Sequence, residues 1–393
     1  MSQQPLSVAV IGAGMAGRSH AAGYRQANTV FGPGLPPVRL AAIADANTEL
    51  AEDAARRYGY EKAVSSWQEI VEDSSIDAVS VVVDNALHRP IAEALIRSGK
   101  HVLCEKPLAG SVADAEAMVA AEETADVVTA VGYTLRRSPA ITAIRNHVRA
   151  GDLGEMALFG GRYWADYATD PRGPLSWRYR GGPGSGALGD VGAHLVDVAE
   201  YVCGPIDSVS GGALSTQIPR RPLPLGPVVG HEAGPVSDET GEVENEDTAV
   251  FSARFRSGLT GSLSVSRTAF GLPNGFGFDA HGLSGRASFD LHRPAEYVFD
   301  DVQPQRRTRG ARQVIVGPEM PYFAGGYPMQ APGNGGGNAE MFAYQCRAFL
   351  DEVSGIDDPL PACASFADAL HTMKVLRSVV RSADEGGTAV AVG

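Results

Sequence analysis

Three side chains in this 393-residue sequence have the types and neighbours needed to move a proton while a hydride leaves: Lys106, Asp190 and His194. Asp190 and His194 stand four residues apart at the start of a helix predicted over 190–202, a spacing that puts both on one face. An imidazole titrates near neutrality and suits a general base, and a carboxylate beside it can orient it or hold a substrate hydroxyl. Lys106 follows the apolar run His101–Cys104, where an ammonium can stabilise negative charge developing on a hydroxyl oxygen. Each residue also has a structural reading: Lys106 as a surface partner of Glu105, Asp190 as a helix cap, His194 as a satisfied buried histidine. Asp197 is either a supporting carboxylate or a helix salt-bridge partner.

Competing chemistries lack their motifs. There is no GxSxG elbow, no Walker A lysine and no HExxH; the other histidines are scattered and the four cysteines lack metal spacing, so no metal is expected. Cys104, Cys203, Cys346 and Cys363 read as free thiols of a reducing cytoplasm. A bound redox cofactor is the remaining route. The run Gly12-Ala13-Gly14-Met15-Ala16-Gly17 follows the apolar stretch Val8–Ile11 and opens a helix. Gly12 permits the tight turn, Gly14 lets a pyrophosphate approach the backbone, and Gly17 brings helix against strand. The amides at the helix start, Met15 and Ala16 among them, face the phosphates.

A second strand, 40–44, ends at Asp45, whose carboxylate would accept ribose hydroxyls and repel a 2′-phosphate. Asp45 lies further from Gly17 than the usual ~20 residues, and the Gly/Pro-rich segment 31–37 absorbs the excess. Ala46 and Asn47 follow, with no arginine to neutralise a phosphate, so NAD is favoured over NADP. The competing reading of Asp45 is a turn aspartate.

The elements that must position these residues follow from periodicity. Strands at 8–11, 40–44, 77–83, 101–104 and 127–131 alternate with helices at 16–27, 48–58 (Thr48 a candidate cap), 67–72, 88–98 and 114–123. That alternation means a parallel sheet wound with helices, a Rossmann domain over 1–135. From 136 to 393 a second domain is expected: helices at 139–150 and 190–202, strands at 155–164, 208–216, 248–255, 260–267 and 286–290, and closing helices at 338–353 and 365–383. The strands alternate in the manner of an antiparallel sheet. The proline- and acid-rich stretch 219–246 reads as a long surface loop, and 303–337 as another loose segment. With 44% apolar and 20% charged residues the composition is that of a globular protein, and a net charge of −13 disfavours a nucleic-acid partner. No leader and no membrane span are expected.

The sequence resembles the Gfo/Idh/MocA dehydrogenases in four blocks: Val10–Gly17, Cys104-Glu105-Lys106-Pro107-Leu108, Gly132–Ala140 and Gly184–Asp197. The resemblance implies an α/β Rossmann domain followed by an α+β domain with a large, mostly antiparallel open sheet. It implies that Lys106, Asp190 and His194 are catalytic and that His194 accepts the hydroxyl proton. It also implies that Asn85, His88, Glu105, Lys106, Trp177 and Arg178 serve the NAD site. Val83-Asp84-Asn85 departs from the family's usual Thr-Pro-Asn, and Thr134 stands where asparagine is frequent after the aromatic Tyr133. The segments 163–179 and 214–222 look like the family's levoglucosan-dehydrogenase branch, with Tyr133, Tyr163 and Trp164 as walls and polar contacts for a sugar ring; the alternative for Trp164 and Trp177 is packing. The implied partner is a sugar or cyclic polyol, and the implied assembly a homodimer or homotetramer. Two other readings stand beside an NAD-dependent sugar or polyol dehydrogenase. One is a same-fold enzyme that recycles its NAD internally or works as a redox-assisted glycosidase; the other is a non-catalytic NAD sensor.

Overall fold

The near-continuous apolar runs at the start of the chain pair as a parallel sheet, as strands covered on both faces do. In the computed structural model, every residue is described except 1–3, 31–33, 227, 229–233, 303–309, 321, 323–330, 334–335 and 357–359. Two units divide the chain: Met1–Pro139 with Val316–Leu370, and Ala140–Ile315 with His371–Gly393. The expected boundary at 135/136 left the whole remainder in the second domain. Instead, 316–370 returns to the first unit.

The first unit alternates β1 (Leu6–Ile11), α1 (Met15–Val30), β2 (Val38–Ala44), α2 (Thr48–Tyr58), β3 (Lys62–Val64), α3 (Trp67–Glu72), β4 (Ala78–Val81), α4 (Asn85–Arg97), β5 (His101–Cys104), α5 (Val112–Glu122) and β6 (Thr129–Val131). The six strands are parallel in the order β3-β2-β1-β4-β5-β6. The order reverses between β1 and β4, which opens a crevice at their carboxyl ends. The cap of α2 is Asn47 rather than Thr48: its side-chain oxygen accepts from the Glu49 and Leu50 amides, a bond worth about 1 kcal/mol. Thr48 is already inside the helix.

The second unit begins in α6 (Pro139–Ala150) and continues through β7 (Met156–Trp164), α7 (Ala193–Cys203), β8 (Ile206–Ser215), β9 (Arg220–Pro224), β10 (Val236–Glu242), β11 (Thr248–Phe255), β12 (Thr260–Ser266), β13 (Gly275–Gly282), β14 (Gly285–Asp290), β15 (Glu296–Asp301) and β16 (Arg312–Ile315). Of the later elements, α8 (Asn338–Ser354) belongs to the first unit, where Gly23 of α1 has no room for a Cβ beside the Phe342 carbonyl and Cys346 Sγ. The chain closes with α9 (Phe366–Asp384) and β17 (Val390–Ala391). Nine strands form one sheet in the order β16-β15-β14-β13-β7-β12-β11-β8-β17, antiparallel except for β7 with β12. Strand alternation buries one face on phenylalanines; the Phe159 and Phe278 rings stack at 5.5 Å. Each such side chain contributes roughly 1.5–3 kcal/mol.

Two expectations fail here. The described part of 219–246 is no long surface loop: β9 and β10 form a two-stranded antiparallel ladder, and Asn245 and Glu246 are buried. Prolines at 222 and 224 masked the strand signal, yet a two-stranded ribbon tolerates them because its outer amides need no partner. Nor does a regular helix begin at Asp190. Residues Leu188–Gly192 form a π-helical turn, and α7 starts only at Ala193. Parts of 31–37 and most of 303–337 lie outside the described residues.

Candidate functional site

At the crevice of the first unit, Gly12 has φ +105°, and a Cβ there would stand 1.9 Å from the Val82 carbonyl oxygen. A Cβ on Gly17 would meet the Gly12 carbonyl at 1.9 Å, so these two glycines let helix, loop and β4 approach. Gly14 differs: open space surrounds its missing Cβ, and the neighbouring Met15 is 75% exposed. Asp45 is tied to the same loop. Its Oδ2 accepts from the Ala13 amide at 2.7 Å and its Oδ1 from the Asn47 amide at 2.8 Å. A carboxylate has about four acceptor positions, so capacity remains for ribose hydroxyls. These residues fit a dinucleotide.

The next two loops deliver the other expected residues of this unit. Asp84 caps α4 through the Ala86 amide, and Asn85 begins the helix half-buried. His88 is different from expectation: it is fully buried, with Nδ1 3.0 Å from the Pro107 carbonyl and Nε2 3.1 Å from that of Val83. Burial holds its pKa below the ordinary histidine value. It ties two loops together and presents no surface. Glu105 is likewise turned inward, with Oε1 2.9 Å from His20 Nε2 and Oε2 accepting from the Lys106 amide at 3.0 Å. Burial pushes its carboxyl up, but His20 and the Lys106 charge outweigh that and hold it below the usual range. Behind it His20 Nδ1 meets Ser80 Oγ at 3.0 Å, and Ser80 meets Tyr24 at 2.8 Å, a buried polar chain that no motif announced. Lys106 itself sits at the carboxyl edge after β5, preceding Pro107 through a cis bond. Tyr133 follows β6 and is buried.

In the second unit, Asp190 rides on the π turn and His194 on the first turn of α7. Such a turn is uncommon and concentrates at functional sites. Tyr167 donates to Asp190 Oδ2 at 2.8 Å, and burial with the Asp190 charge pushes the phenol's pKa well up, so the proton stays on tyrosine. The Tyr163 ring lies 6.2 Å from the His194 ring, and its hydroxyl donates to Asn274 at 2.8 Å. Neither Tyr167 nor Asn274 stood out in the sequence. Trp164 does not join Tyr163. Alternation along β7 turns it to the opposite face, where Nε1 donates to Ser264 at 3.0 Å beside Arg162. Two adjacent strand residues cannot wall one pocket. Trp177 is 60% exposed with the Arg178 guanidinium 4.3 Å over its ring, and Asp197 is fully buried.

The Gfo/Idh/MocA oxidoreductase family model with its NAD-binding Rossmann fold matches residues 6–133, and the family's C-terminal domain model matches 141–288. Levoglucosan dehydrogenase of Pseudarthrobacter phenanthrenivorans is 36% identical over 388 residues, 97% of this chain and 96% of that one. Myo-inositol 2-dehydrogenase of Thermotoga maritima is 28% identical over 311 residues, 77% of this chain and 81% of that one. Among solved structures, levoglucosan dehydrogenase in complex with NADH and levoglucosan aligns at a TM-score of 0.88 and 34% identity, covering 99% of this chain and 100% of that one. With the dinucleotide loop in one unit and the Asp190–His194 turn in the other, this chain belongs to the Gfo/Idh/MocA family of NAD-binding oxidoreductases.

Proposed function

We propose that the chain reversibly oxidises a secondary hydroxyl on a cyclic sugar, anhydrosugar or polyol, with NAD as its cofactor. The observation that carries this reading is the turn at Asp190–His194: a carboxylate gripped by Tyr167 and an imidazole beside the Tyr163 ring. NAD, when bound, supplies the acceptor for the hydride. Gly12, Gly14, Gly17, Met15, Ala16, Asp45, Asn85, Lys106, Trp177 and Arg178 are the residues assigned to hold it, with the inward-turned Glu105 bracing Lys106 through its amide. His194 takes the proton from the substrate hydroxyl as that carbon loses its hydrogen. Lys106 offers positive charge to the oxygen as it becomes negative. Asp190, gripped by Tyr167, holds a substrate hydroxyl. Tyr163, its hydroxyl held on Asn274, supplies aromatic surface for the sugar ring, whereas Tyr133, also expected there, is buried.

Similarity to levoglucosan dehydrogenase over nearly the whole chain makes an anhydrosugar the first substrate to try. Purified protein with NAD is given levoglucosan, myo-inositol, scyllo-inositol or glucose while NADH absorbance is followed. Sustained NADH formation is expected with at least one of them. No NADH with any cyclic polyol would overturn the reading, and formation halting at one equivalent would favour internal recycling. A cytoplasmic homo-oligomer, dimer or tetramer, completes the proposal; its supports are the four free thiols and the family likeness.

A further inference from the structure

Asn245, Glu246 and Asp247, which lead into β11, are 2%, 3% and 0% exposed. Burying three consecutive polar side chains is unfavourable unless each finds partners. Each does, within the second unit. Glu246 commits both carboxylate oxygens to backbone amides: Oε2 accepts from Gly184 at 2.7 Å and Oε1 from Leu188 at 2.9 Å. Its main-chain carbonyl accepts from the Ala187 amide at 3.0 Å, and a Cβ on Gly186 would stand 2.1 Å from that oxygen. The loop 184–188 is therefore laid flat on the segment at Glu246 that leads into β11.

Leu188 is the first residue of the π turn, and the Asp190 amide donates back to the Gly186 carbonyl at 3.0 Å. Asn245 holds the adjoining segment. Its Nδ2 faces the Arg178 carbonyl at 3.0 Å, the Arg180 carbonyl at 3.1 Å and Ser185 Oγ at 3.1 Å. Arg267 closes the cluster, donating to Asp247 Oδ1 at 2.7 Å, Asn245 Oδ1 at 2.8 Å and the Arg178 carbonyl at 3.0 Å.

We infer that Glu246 is a positioning residue of the reaction: its carboxylate fixes the loop 184–188 and so sets where the Asp190 carboxylate and the His194 imidazole stand. The inference rests on the roles proposed above for those two residues. A π turn does not hold itself as an α-helix does, because its backbone geometry is less favourable and it depends on outside support. Two charge-assisted bonds from one carboxylate give that support and fix both ends of a five-residue loop. A small misplacement of reacting groups costs rate far more than binding.

The test is Glu246→Gln. Glutamine has the same shape but one acceptor oxygen, so one of the two amides meets an N–H instead. With levoglucosan and myo-inositol as probes, kcat is expected to fall roughly 10–100-fold, with the sugar KM and the NAD dissociation constant little changed. Hydrogen exchange read by mass spectrometry should quicken in the peptide covering 184–192 and nowhere else, a readout that needs no substrate. Phe255→Leu, a core change at the far end of β11, serves as a control for general destabilisation and should lower the melting temperature while preserving kcat. A Glu246→Gln enzyme with kcat near that of the unaltered chain, a matching kcat loss in Phe255→Leu, or unchanged exchange at 184–192 would each overturn the inference. Should Glu246→Gln fail to fold, Ser185→Ala removes one Asn245 contact from the same loop and should show the same pattern at smaller size. Asp190→Asn and His194→Ala are measured in parallel. If these keep turnover, the catalytic reading falls; if they lose it while Glu246→Gln does not, only the positioning role falls.

Discussion

In the first unit the loops assigned to NAD are shaped mainly by backbone: a positive-φ glycine after β1, a second glycine without room for a Cβ, and strand ends at a point where the sheet order reverses. In the second unit Asp190 and His194 stand on an irregular turn fixed by buried side chains of the segment that leads into β11, far along the chain. Backbone devices are local and tolerate change around them. A buried polar cluster is cooperative, and each member left unpaired costs about 1–3 kcal/mol. Substitutions in the glycine and Asp45 loops of the first unit should therefore act mostly on nucleotide affinity, and those around the Asp190–His194 turn of the second on turnover.

The largest expected effect breaks that division on purpose. Lys106 belongs to the first unit, yet its proposed task is charge stabilisation, so Lys106→Ala should lower kcat by about 10²–10³-fold. The NAD dissociation constant, from calorimetry, should hardly move; a loss of NAD affinity with kcat preserved would return Lys106 to the nucleotide loops. A middle-sized effect is expected at Asp45. Asn at this position keeps one acceptor for the Ala13 or Asn47 amide but removes the charge, so NAD affinity should fall about 10-fold by fluorescence titration. Discrimination against NADP should shrink at the same time, because the repelling carboxylate is gone.

The smallest effect lies on the helix that carries His194. His371 Nδ1 of α9 stands 2.9 Å from Glu200 of α7, and that hydrogen bond together with the Glu200 charge raises the imidazole's pKa above its ordinary value. A raised folded pKa stabilises the protonated form. The contribution is complete below the ordinary histidine pKa and is lost as pH rises through the raised one. Melting temperatures across that window should step down in the unaltered chain and not in His371→Gln, by an amount corresponding to at most about 1 kcal/mol.

What could be read in advance follows the same contrast. The glycine loop, the parallel strands, Asp45 at the end of β2 and the i,i+4 pair at 190 and 194 are local patterns, and the strands came out at or within a few residues of their expected ends. The surroundings of that pair were not local. Glu246 sat in a stretch that reads as a surface loop, because proline and acidic residues look the same whether they face water or grip a buried turn. Tyr167, Asn274 and the His20–Ser80–Tyr24 chain are meaningful only once strands far apart in sequence are paired. Trp164 failed for a simpler reason: period-two alternation separates it from Tyr163. The Gly132–Ala140 block, read as a mark of resemblance, also has a structural task. Arg137 is fully buried there and donates to Gln345 and to the carbonyls of Pro361 and Ala362, which ties the returning segment into the first unit.

The most direct measurement is the initial rate of NADH formation from levoglucosan in the unaltered chain and in His194→Ala, with NAD affinity determined for both. Turnover by the unaltered chain, a loss of about 10²–10⁴-fold on removing the imidazole, and equal NAD affinity are the expected result. Turnover in His194→Ala close to that of the unaltered chain would contradict the assignment of His194 as the base that accepts the hydroxyl proton.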